Sequence, residues 1–403
     1  FKQKTAYEIR LSLVGSEMCI RDRIISEQRK INEEDPEGDA MQQNTFTGVV
    51  AGDNYGRSVA SAGDVNGDGF DDVIIGAPNN NAGGINSGRA YIYFGGTTIN
   101  TAVDVILTGA DMNYYLGTSV SSAGDVNGDG YDDVIVGANG YNTFTGRAYI
   151  YYGGASMNSV VDVTMTGQFT NNEFGKSVSG AGDVNGDSFD DVVVGAFAAN
   201  AYTGKAYIFY GSAAMDNVAD IIMNGEFGSD DFGISVSDAG DVNGDGYADV
   251  IIGADVANSG FGKAYIYFGG ITMNNIADVT MTGEGIGNNF GASVSNAGDV
   301  NDDGYSDIIV GAHGYNSYTG RTYIFYGGAS MNSSADVIMT GEASNNSFGF
   351  SVSESGDING DGFADVIVGG YGYSSSKGRA YVYYGSTAMN NVCLLYTSPS
   401  PRD

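Results

Sequence analysis

One short phrase recurs through the chain at a fixed spacing. The steps between successive copies are 61, 58, 58, 58 and 58 residues. Six copies at one period indicate a repeat architecture, in which each unit buries its apolar face only against its neighbours. This period constrains the fold more than any other feature of the chain. Segments of the type GDVNGDG begin at Gly63, Gly124, Gly182, Gly240, Gly298 and Gly356.

Each unit contains four short strand candidates separated by turn residues. The second candidate carries the apolar run VIV and the third carries AYIYY, which is rich in β-formers, whereas helical spacing is absent. Four strands per unit predict an all-β fold, a β-propeller of four-stranded blades with six repeats present. A solenoid of four-stranded units is the alternative. In the second copy the candidates are Gly117–Ala123, Asp133–Ala138, Arg147–Gly153 and Asp162–Thr166.

The order of the strands suggests how the two ends of the propeller meet. The stretch Thr45–Gly56 resembles the fourth-strand region of later units, so the repeats open on a fourth strand and close on a third. In a ring, that first strand would complete the last blade and leave no free sheet edge. Residues 44–392 number 349 and six periods make 348, so a closed ring of six blades is possible.

The ends of the chain do not continue the repeat. A DNA segment that encodes Cys393–Asp403 has a reverse complement that encodes Leu13–Asp22, with ten of ten residues matching. We therefore interpret residues 1–23 and 393–403 as translated sequencing adapter and exclude them from fold reasoning. Residues 24–43, which are charged and polar, are interpreted as a linker or N-terminal extension. On this interpretation the gene continues beyond both ends, and the source is an assembled environmental sequence.

The remaining residues are strongly acidic and lack cysteine. Removing the six basic and four acidic residues of the two end segments leaves 11 basic and 45 acidic residues, a net charge of −34. Such a surface argues against nucleic acid or anionic lipid as a partner, since both bind through Lys and Arg. It suits cations and an extracellular medium. The sequence contains no run of 18 apolar residues, so no membrane span is predicted.

Each repeat carries the loop motif D-x-N-x-D-G-x-x-D. Side chains at positions 1, 3, 5 and 9 of such a loop supply oxygen ligands, and position 7 supplies a backbone carbonyl. Oxygen ligands of this number suit calcium, so we predict up to six Ca²⁺ sites. The candidate ligands are Asp64, Asn66, Asp68, Phe70, Asp72; Asp125, Asn127, Asp129, Tyr131, Asp133; Asp183, Asn185, Asp187, Phe189, Asp191; Asp241, Asn243, Asp245, Tyr247, Asp249; Asp299, Asn301, Asp303, Tyr305, Asp307; and Asp357, Asn359, Asp361, Phe363, Asp365.

Simple hairpin turns would explain one Asp and one Gly of the motif but not Asp at positions 1, 5 and 9 in all six copies. An EF-hand is excluded because the Glu at position 12 is missing and the loop lies between strands. The third copy has Ser188 where the others have Gly, which predicts a strained loop and a weaker site. The fifth copy has the additional Asp302, which we expect to contact solvent. Six weak sites at tenfold excess of calcium would add about 8 kcal/mol of stability, so calcium is predicted to be structural.

The motifs resemble those of the FG-GAP repeat family. Phe-Gly pairs, as at Phe174–Gly175, precede four of the calcium loops, and Gly-Ala pairs follow the first five, with Gly-Gly after the sixth; the full GAP occurs once, at Gly76–Pro78. The first two copies depart from the pattern, with Tyr55–Gly56 and Leu116–Gly117. The family forms the N-terminal propeller of integrin alpha subunits and occurs in many bacterial surface proteins. The resemblance implies a propeller, usually of seven blades, with calcium in the loop that joins the first two strands.

We therefore predict a calcium-binding extracellular or cell-surface module for adhesion or protein–protein scaffolding, and not an enzyme. Its partner would be an extracellular protein or glycan. An accessory domain of a secreted enzyme and a carbohydrate-binding propeller are the alternatives. The only histidine, His313, has no partner for catalysis, and nearly every acid occupies a repeated position. Aromatic residues follow the VIV strand and could bind ligand at one rim: Tyr141, Phe144, Tyr315, Tyr318, Tyr371 and Tyr373.

Overall fold

The structure is a computed structural model that describes residues 45–97, 101–387 and 389. The adapter interpretation of 1–23 and 393–403 and the linker interpretation of 24–43 concern residues outside this part. Across the described residues, no helix has the length and apolar character that crossing a membrane requires.

The fold is all-β, as predicted: a propeller of six antiparallel sheets, one per repeat, each with its strands in sequence order. Five blades have four strands, and the sixth has three within the described residues. The strands are, in blade 1, β1 (Ser58–Gly63), β2 (Asp72–Ala77), β3 (Arg89–Tyr93), β4 (Val105–Thr108); in blade 2, β5 (Val120–Gly124), β6 (Asp133–Ala138), β7 (Arg147–Tyr151), β8 (Val163–Thr166); in blade 3, β9 (Ser177–Gly182), β10 (Asp191–Ala196), β11 (Lys205–Phe209), β12 (Ile221–Asn224); in blade 4, β13 (Ser235–Gly240), β14 (Asp249–Ala254), β15 (Lys263–Tyr267), β16 (Val279–Thr282); in blade 5, β17 (Phe290–Gly298), β18 (Asp307–Ala312), β19 (Arg321–Phe325), β20 (Val337–Thr340); and in blade 6, β21 (Phe348–Glu354), β22 (Val366–Gly370), β23 (Arg379–Tyr383).

The second strand of each blade is the most deeply buried. All six residues of β6 are buried, because neighbouring blades cover both faces of the sheet. This explains why the strand has an unbroken apolar run and no alternation of apolar and polar residues. The innermost strands of all six blades line one central channel of about 350 Å³. The four-strand prediction for each interior unit is thus confirmed.

Short left-handed turns connect the second and third strands in blades 2 to 6. In blade 2, Asn142 and Thr143 have φ of +45° and +57°, so this segment is not an α-helix. Consecutive non-glycine residues with left-handed φ and ψ angles are energetically costly. The five turns are Tyr141–Phe144, Ala199–Tyr202, Ala257–Gly260, Tyr315–Tyr318 and Tyr373–Ser376.

The aromatic ring of the Phe-Gly pair fills the core between adjacent blades. Phe174 is 1% exposed and lies edge-on to Tyr207, with ring centroids 5.2 Å apart. The glycine is required because its φ is +79° and a Cβ at Gly175 would lie 2.1 Å from the carbonyl oxygen of Arg147. Leu116, Phe232, Phe290 and Phe348 occupy the equivalent buried positions.

The first and last blades each present one face that is less covered than its interior counterparts. Val59 of β1 is 61% exposed, whereas the equivalent Val120 of β5 is 7% exposed. In β23, Ala380 is exposed, although the equivalent Ala148 of β7 is fully buried. Five apolar clusters join successive blades, and within the described part of the chain no such cluster joins the sixth blade to the first.

The expectation that Thr45–Gly56 supplies a fourth strand to the last blade is wrong. The segment contains no strand and packs on blade 1, where the rings of Phe46 and Tyr93 lie 4.4 Å apart. The hydroxyl groups of Tyr55 and Tyr93 are hydrogen-bonded at 2.8 Å. The physical reason is that the side chains of Phe46 and Tyr55 pack against an apolar face of blade 1 that includes Tyr91 and Tyr93.

Candidate metal-binding loops

The motif D-x-N-x-D-G-x-x-D forms the connection between the first two strands of each blade. Because the strands are antiparallel and in sequence order, all six loops lie at the same end of the propeller. We call this the loop end. The other end, where the second strand turns into the third and one blade leads into the next, we call the rim end.

Side chains of the first loop turn back onto the loop's own backbone. Asp64 Oδ1 accepts hydrogen bonds from the N–H groups of Gly67 (2.8 Å) and Asp68 (3.0 Å). Its Oδ2 accepts one from Gly69 at 2.8 Å. Asn66 Oδ1 accepts a bond of 2.8 Å from the N–H of Asp68, so positions 1 and 3 share a donor. The acidic and amide oxygens therefore face the interior of one tight turn.

Position 5 extends the same pattern, since Asp68 Oδ1 accepts a bond of 3.0 Å from the N–H of Phe70. Glycines permit the turn: Gly67 and Gly69 have φ of +74° and +88°. In the third copy Ser188 adopts φ of +73° at the position of Gly69. The prediction of a strained third loop is thereby confirmed in its backbone conformation, while the N–H of Ser188 still donates to Asp183 Oδ2 at 2.8 Å.

The Asp at position 9 is buried and ties the loop to the sheet. Asp72 is 1% exposed; its Oδ2 accepts from the N–H of Val65 at 3.1 Å and its Oδ1 from the N–H of Gly95 at 2.6 Å. Burial raises the pKa of Asp72 to about 6, the two backbone bonds oppose this, and the charges of Asp68 and Asp64 raise it further. A cation beside these three carboxylates would relieve their repulsion.

The same arrangement recurs in the other copies. Position 1 accepts from the N–H groups of positions 5 and 6, and position 5 accepts from the N–H of position 7, in every loop. The position-9 carboxyls of the interior blades are fully buried. Burial is the main cause that raises the pKa of each of these carboxyls. The pKa is about 7 for Asp133, Asp249 and Asp307 and about 8 for Asp191. Burial also raises the pKa of Asp365.

The fifth loop differs from the others in one informative respect. Asp302 replaces glycine at position 4, has φ of +61° and is exposed, in agreement with its predicted contact with solvent. The Oδ1 atom of Asn301, at position 3, is buried without a hydrogen-bond partner among the described residues. A buried amide oxygen without a donor is costly, and coordination of a cation would satisfy it.

The donor set of the loops fits a hard cation. It consists only of carboxylate, amide and carbonyl oxygen, which are the ligands of calcium. In the described residues, no three acidic, His or Cys side chains already converge in ligating geometry. Binding would therefore require the side chains at positions 1, 3 and 5 to close around the ion, and each of their oxygens has a second lone pair beside the one that accepts a backbone N–H. Asp64, Asn66 and Asp68 are the residues of the first loop that could do so.

Each of the first five loops is also bonded to the next blade. The carbonyl oxygen of Asp64 accepts from the N–H of Asp132 at 3.3 Å, and that of Val65 accepts from Gly154 at 2.8 Å. The equivalents of the second bond connect every later pair of blades: Ser212 to Val126, Gly270 to Val184, Gly328 to Val242 and Ser386 to Val300. The conformation of one loop is thus coupled to the position of the neighbouring sheet.

The aromatic residue at position 7 has a packing role that sequence analysis missed. The ring of Tyr131 lies over the preceding loop, where a Cβ at Gly67 would be 2.5 Å from it. Phe189 and Tyr247 contact Gly128 and Gly186 in the same way. The signal available in the sequence was the pairing of an aromatic residue at position 7 with glycine at position 4 of the previous copy. The ring of the position-7 residue therefore packs at the loop end, where its backbone carbonyl also lies.

His313 and most of the rim aromatics lie at the opposite end. His313 is packed edge-on to Phe350, with ring centroids 5.4 Å apart. Burial lowers the pKa of His313, and the charge of Asp255 opposes this. Tyr141, Tyr315 and Tyr373 each stack on the cation of the following strand, at 3.5 to 3.8 Å from ring centroid to guanidinium carbon. None of them contributes to the loops.

The sequence model of the FG-GAP repeat matches six segments that together make up more than half of the chain. They are residues 55–93, 116–151, 174–209, 232–267, 290–325 and 348–383. Each segment runs from the aromatic-glycine or Leu-Gly pair, through the candidate metal loop, to the end of the third strand.

Integrin alpha subunits are among the similar curated proteins. Integrin alpha-5 of Xenopus laevis is 36% identical over 114 residues, which are 27% of this chain and 11% of that protein. Integrin alpha-6 of Gallus gallus is 33% identical over 142 residues, 34% of this chain and 13% of that protein. Integrin alpha-PS2 of Drosophila melanogaster is 40% identical over 114 residues, which are 26% of this chain and 8% of that protein. The matches thus span about a tenth of these relatives.

A solved structure supports the fold alone. The crystal structure of BBS1N in complex with ARL6DN superposes with a TM-score of 0.51 at 12% identity, covering 86% of this chain and 83% of that one. The sequence match, the repeated aromatic-glycine pairs in the blade interfaces and the six equivalent loops agree with one another. The chain belongs to the FG-GAP repeat family.

Proposed function

We propose that this chain is a calcium-stabilised, non-enzymatic propeller that acts outside the cell or at its surface in adhesion or protein scaffolding. The single observation that carries the calcium proposal is the repetition of one oxygen-only loop in six blades, the first five of which are bonded through their backbone to the next blade. A cation that orders such a loop also fixes the adjacent sheet. The partner would be an extracellular protein or glycan.

Two features support calcium as the bound ion. The candidate ligands, taken over the six loops, are carboxylate and amide side chains, and no Cys or His lies in any of them. Such ligands suit calcium and not zinc or copper. The Oδ1 atom of Asn301, which is buried without a hydrogen-bond partner among the described residues, supports the fit of a cation to the fifth loop. When bound, calcium would supply charge neutralisation at Asp64, Asn66, Asp68 and their equivalents.

The extracellular adhesion role is supported by the relatives and by charge. Integrin alpha subunits are similar to this chain over 114 to 142 residues, about two repeats. A net charge of −32 suits a medium rich in cations, where screening and binding limit self-repulsion. The non-enzymatic assignment is supported by the repeated positions of the acids, since catalysis normally depends on one asymmetric constellation of residues.

The thermal melt of the full chain tests the calcium proposal. The protein is unfolded in millimolar calcium and, separately, in EDTA. If six sites contribute about 8 kcal/mol, the melting temperature should fall by about 10 °C or more on chelation. Magnesium at equal concentration should restore less of the lost stability, because it demands a stricter octahedral geometry. Equal melts in calcium and EDTA would overturn the proposal.

A further inference from the structure

A cavity of about 650 Å³ lies at the rim end of blade 2, away from the metal loops. It is formed by two segments: residues 111–115, which lead into the blade, and residues 140–144, which include the left-handed turn after β6. A pocket of this size can hold one or two sugar residues or a small peptide side chain. Its lining, and not its size, decides between them.

Aromatic rings form much of the lining. Tyr114 and Tyr141 meet edge-on, with centroids 5.1 Å apart and an interplanar angle of 84°. Tyr115 and Phe144 are nearly parallel, with centroids 6.3 Å apart and an angle of 20°. Phe144 remains 40% exposed. Exposed ring faces beside polar groups suit the apolar C–H face of a pyranose ring.

Amide groups, together with the carboxylate of Asp111 and the hydroxyl of Thr143, provide the polar part of the same lining. Asn113 and Asn142 both line the cavity and are exposed. Asn86 of blade 1 donates from Nδ2 to Asn113 Oδ1 at 3.3 Å and approaches the hydroxyl of Tyr115 at 3.5 Å. An amide both donates and accepts hydrogen bonds, as adjacent sugar hydroxyls do. The cavity therefore combines stacking faces with groups that match a diol.

Blade 2 departs from the repeat at this place. The two residues before its Leu-Gly pair are Tyr114 and Tyr115, whereas the following copies have Asn-Glu, Asp-Asp, Asn-Asn and Asn-Ser. Repetition alone would have supplied small polar residues. The two tyrosines thus distinguish this rim position from its counterparts, and both line the cavity.

The cation beside the cavity lacks the acid that its counterparts in blades 4, 5 and 6 have; in blade 3, Gln168 is at that position and accepts from Lys205 at 3.3 Å. In blades 4, 5 and 6 the first residue of the third strand forms an ion pair with a Glu 37 residues earlier; the pairs are Lys263–Glu226, Arg321–Glu284 and Arg379–Glu342. The residue 37 positions before Arg147 is Ala110, which has no acidic group. Within the described part of the chain no carboxylate forms an ion pair with Arg147, which bonds instead to the hydroxyls of Tyr141 (2.8 Å) and Thr166 (3.2 Å).

We propose that this cavity binds an acidic saccharide, with a pyranose ring against the aromatic faces and a uronate carboxylate near Arg147. The proposal deepens the adhesion function by naming a ligand class, and in that respect it rests on the proposed function. A carboxylate supplied by the ligand takes the place that Glu226, Glu284 and Glu342 have in later blades. Guanidinium groups favour carboxylates as partners.

The test compares tetragalacturonate with neutral galactotetraose, titrated into the full chain in calcium and followed by isothermal calorimetry. Tetragalacturonate is expected to bind at least about tenfold more tightly than the neutral tetramer. The variant Tyr114→Asn, which introduces the residue found in copies three, five and six, should weaken binding about tenfold or more. Ala110→Glu restores the acid of the later blades and should remove the preference for the uronate. Tyr318→Ala at the equivalent rim of blade 5 is the matched control and should bind as the unaltered chain does.

Equal affinity for the two tetramers, absence of binding of either at millimolar concentration, or unchanged affinity in both the Tyr114→Asn and Ala110→Glu variants would each overturn the proposal. A calcium-dependent melt without saccharide binding would overturn the saccharide site and leave the calcium proposal standing. Saccharide binding together with equal melts in calcium and EDTA would overturn the calcium proposal and leave the saccharide site standing. Circular dichroism of each variant confirms that the compared proteins are folded.

Discussion

The backbone carbonyl oxygen of Val65, in the first loop, accepts a hydrogen bond of 2.8 Å from the N–H of Gly154 in the second blade. The N–H of Val65 meanwhile donates to Asp72 Oδ2 at 3.1 Å. One peptide segment therefore connects the buried position-9 carboxylate of its own blade with the third-to-fourth-strand connection of the next. Through this bond, any ordering of the loop by a cation would be transmitted to the neighbouring sheet.

Conservative charge removal within one loop should identify the ligands. Asp68→Asn keeps the oxygen that accepts from the N–H of Phe70 but removes one negative charge. If Asp68 is a ligand, the number of calcium sites of unaltered affinity should fall from six to five, as measured by a full equilibrium-dialysis titration that extends well above the dissociation constant. The remaining loops should be unaffected, because coordination in each loop is local.

Asp71→Asn is the matched control for that variant. Asp71 lies three residues after Asp68 in the same loop and is exposed, so its replacement removes the same charge from a residue outside the predicted ligand set. Its calcium stoichiometry should stay at six. A loss of one site in both variants, or in neither, would contradict the ligand assignment for the first loop.

Acidification should stabilise the calcium-free protein. Burial raises the pKa of Asp191 to about 8 and that of Asp133 to about 7, whereas an Asp in the unfolded chain titrates near about 4. Between these pH values the folded state binds more protons than the unfolded state. Stability in EDTA should therefore fall as the pH rises from about 4 to about 8, and be higher at pH 5 than at pH 7.5.

Calcium should reduce or reverse this dependence, because a cation favours the ionised carboxylates. Urea denaturation midpoints at the two pH values, each in EDTA and in calcium, measure the effect. Asp191→Asn removes one of the titrating groups and should flatten the dependence in EDTA. A protein that becomes more stable in EDTA on going from pH 5 to pH 7.5 would refute the sign of the prediction.

Local patterns predicted the strands and the loop conformation because both depend on residues close together in sequence. The bounds predicted for Asp133–Ala138 are those of β6, and the strain expected at Ser188 is present as φ of +73°. The placement of Thr45–Gly56 failed because the contact of Phe46 with Tyr93 is tertiary. An alternation of apolar and polar residues cannot distinguish a fourth strand from a segment that covers an uncovered sheet face.

The bonds between blades could not be predicted for a related reason. Ser58 Oγ donates to the carbonyl oxygen of Gly117 at 2.9 Å, across 59 residues of sequence, and backbone carbonyl groups leave no signature in the choice of side chain. The cavity of blade 2 was foreseen only in part, through Tyr141 and Phe144. Tyr114 and Tyr115 would have been found by asking where the second copy departs from the others. The metal ligands stay a prediction.

The third loop offers a reciprocal test of backbone strain. Ser188 adopts φ of +73° where the other loops have glycine, a conformation that costs an L-residue about 1–2 kcal/mol. Part of the gain from Ser188→Gly is lost to the greater freedom of glycine in the unfolded chain. We expect the free energy of unfolding in EDTA to rise by up to about 1 kcal/mol, measured by urea denaturation.

Gly246→Ser, at the same position of the fourth loop, should have the opposite effect. A Cβ at Gly246 has no heavy atom within 4 Å, so its effect arises from the φ of +90° and not from a clash. If Ser188→Gly destabilises the protein, the hydroxyl of Ser188 stabilises the loop by more than the strain costs, and the predicted weakness of the third site is wrong.

The aromatic ring of the Phe-Gly pair should contribute far more to stability than an exposed ring of the same loop. Phe174 is 1% exposed in the core between blades 2 and 3, whereas Phe169 is 66% exposed. Phe174→Ala removes a fully buried ring and should lower the free energy of unfolding by about 3–5 kcal/mol, because the cavity cannot collapse between two sheets. Phe169→Ala should change it by less than about 0.5 kcal/mol. Urea denaturation of both variants in calcium measures the difference, and comparable losses for the two would show that blade interfaces do not depend on this ring.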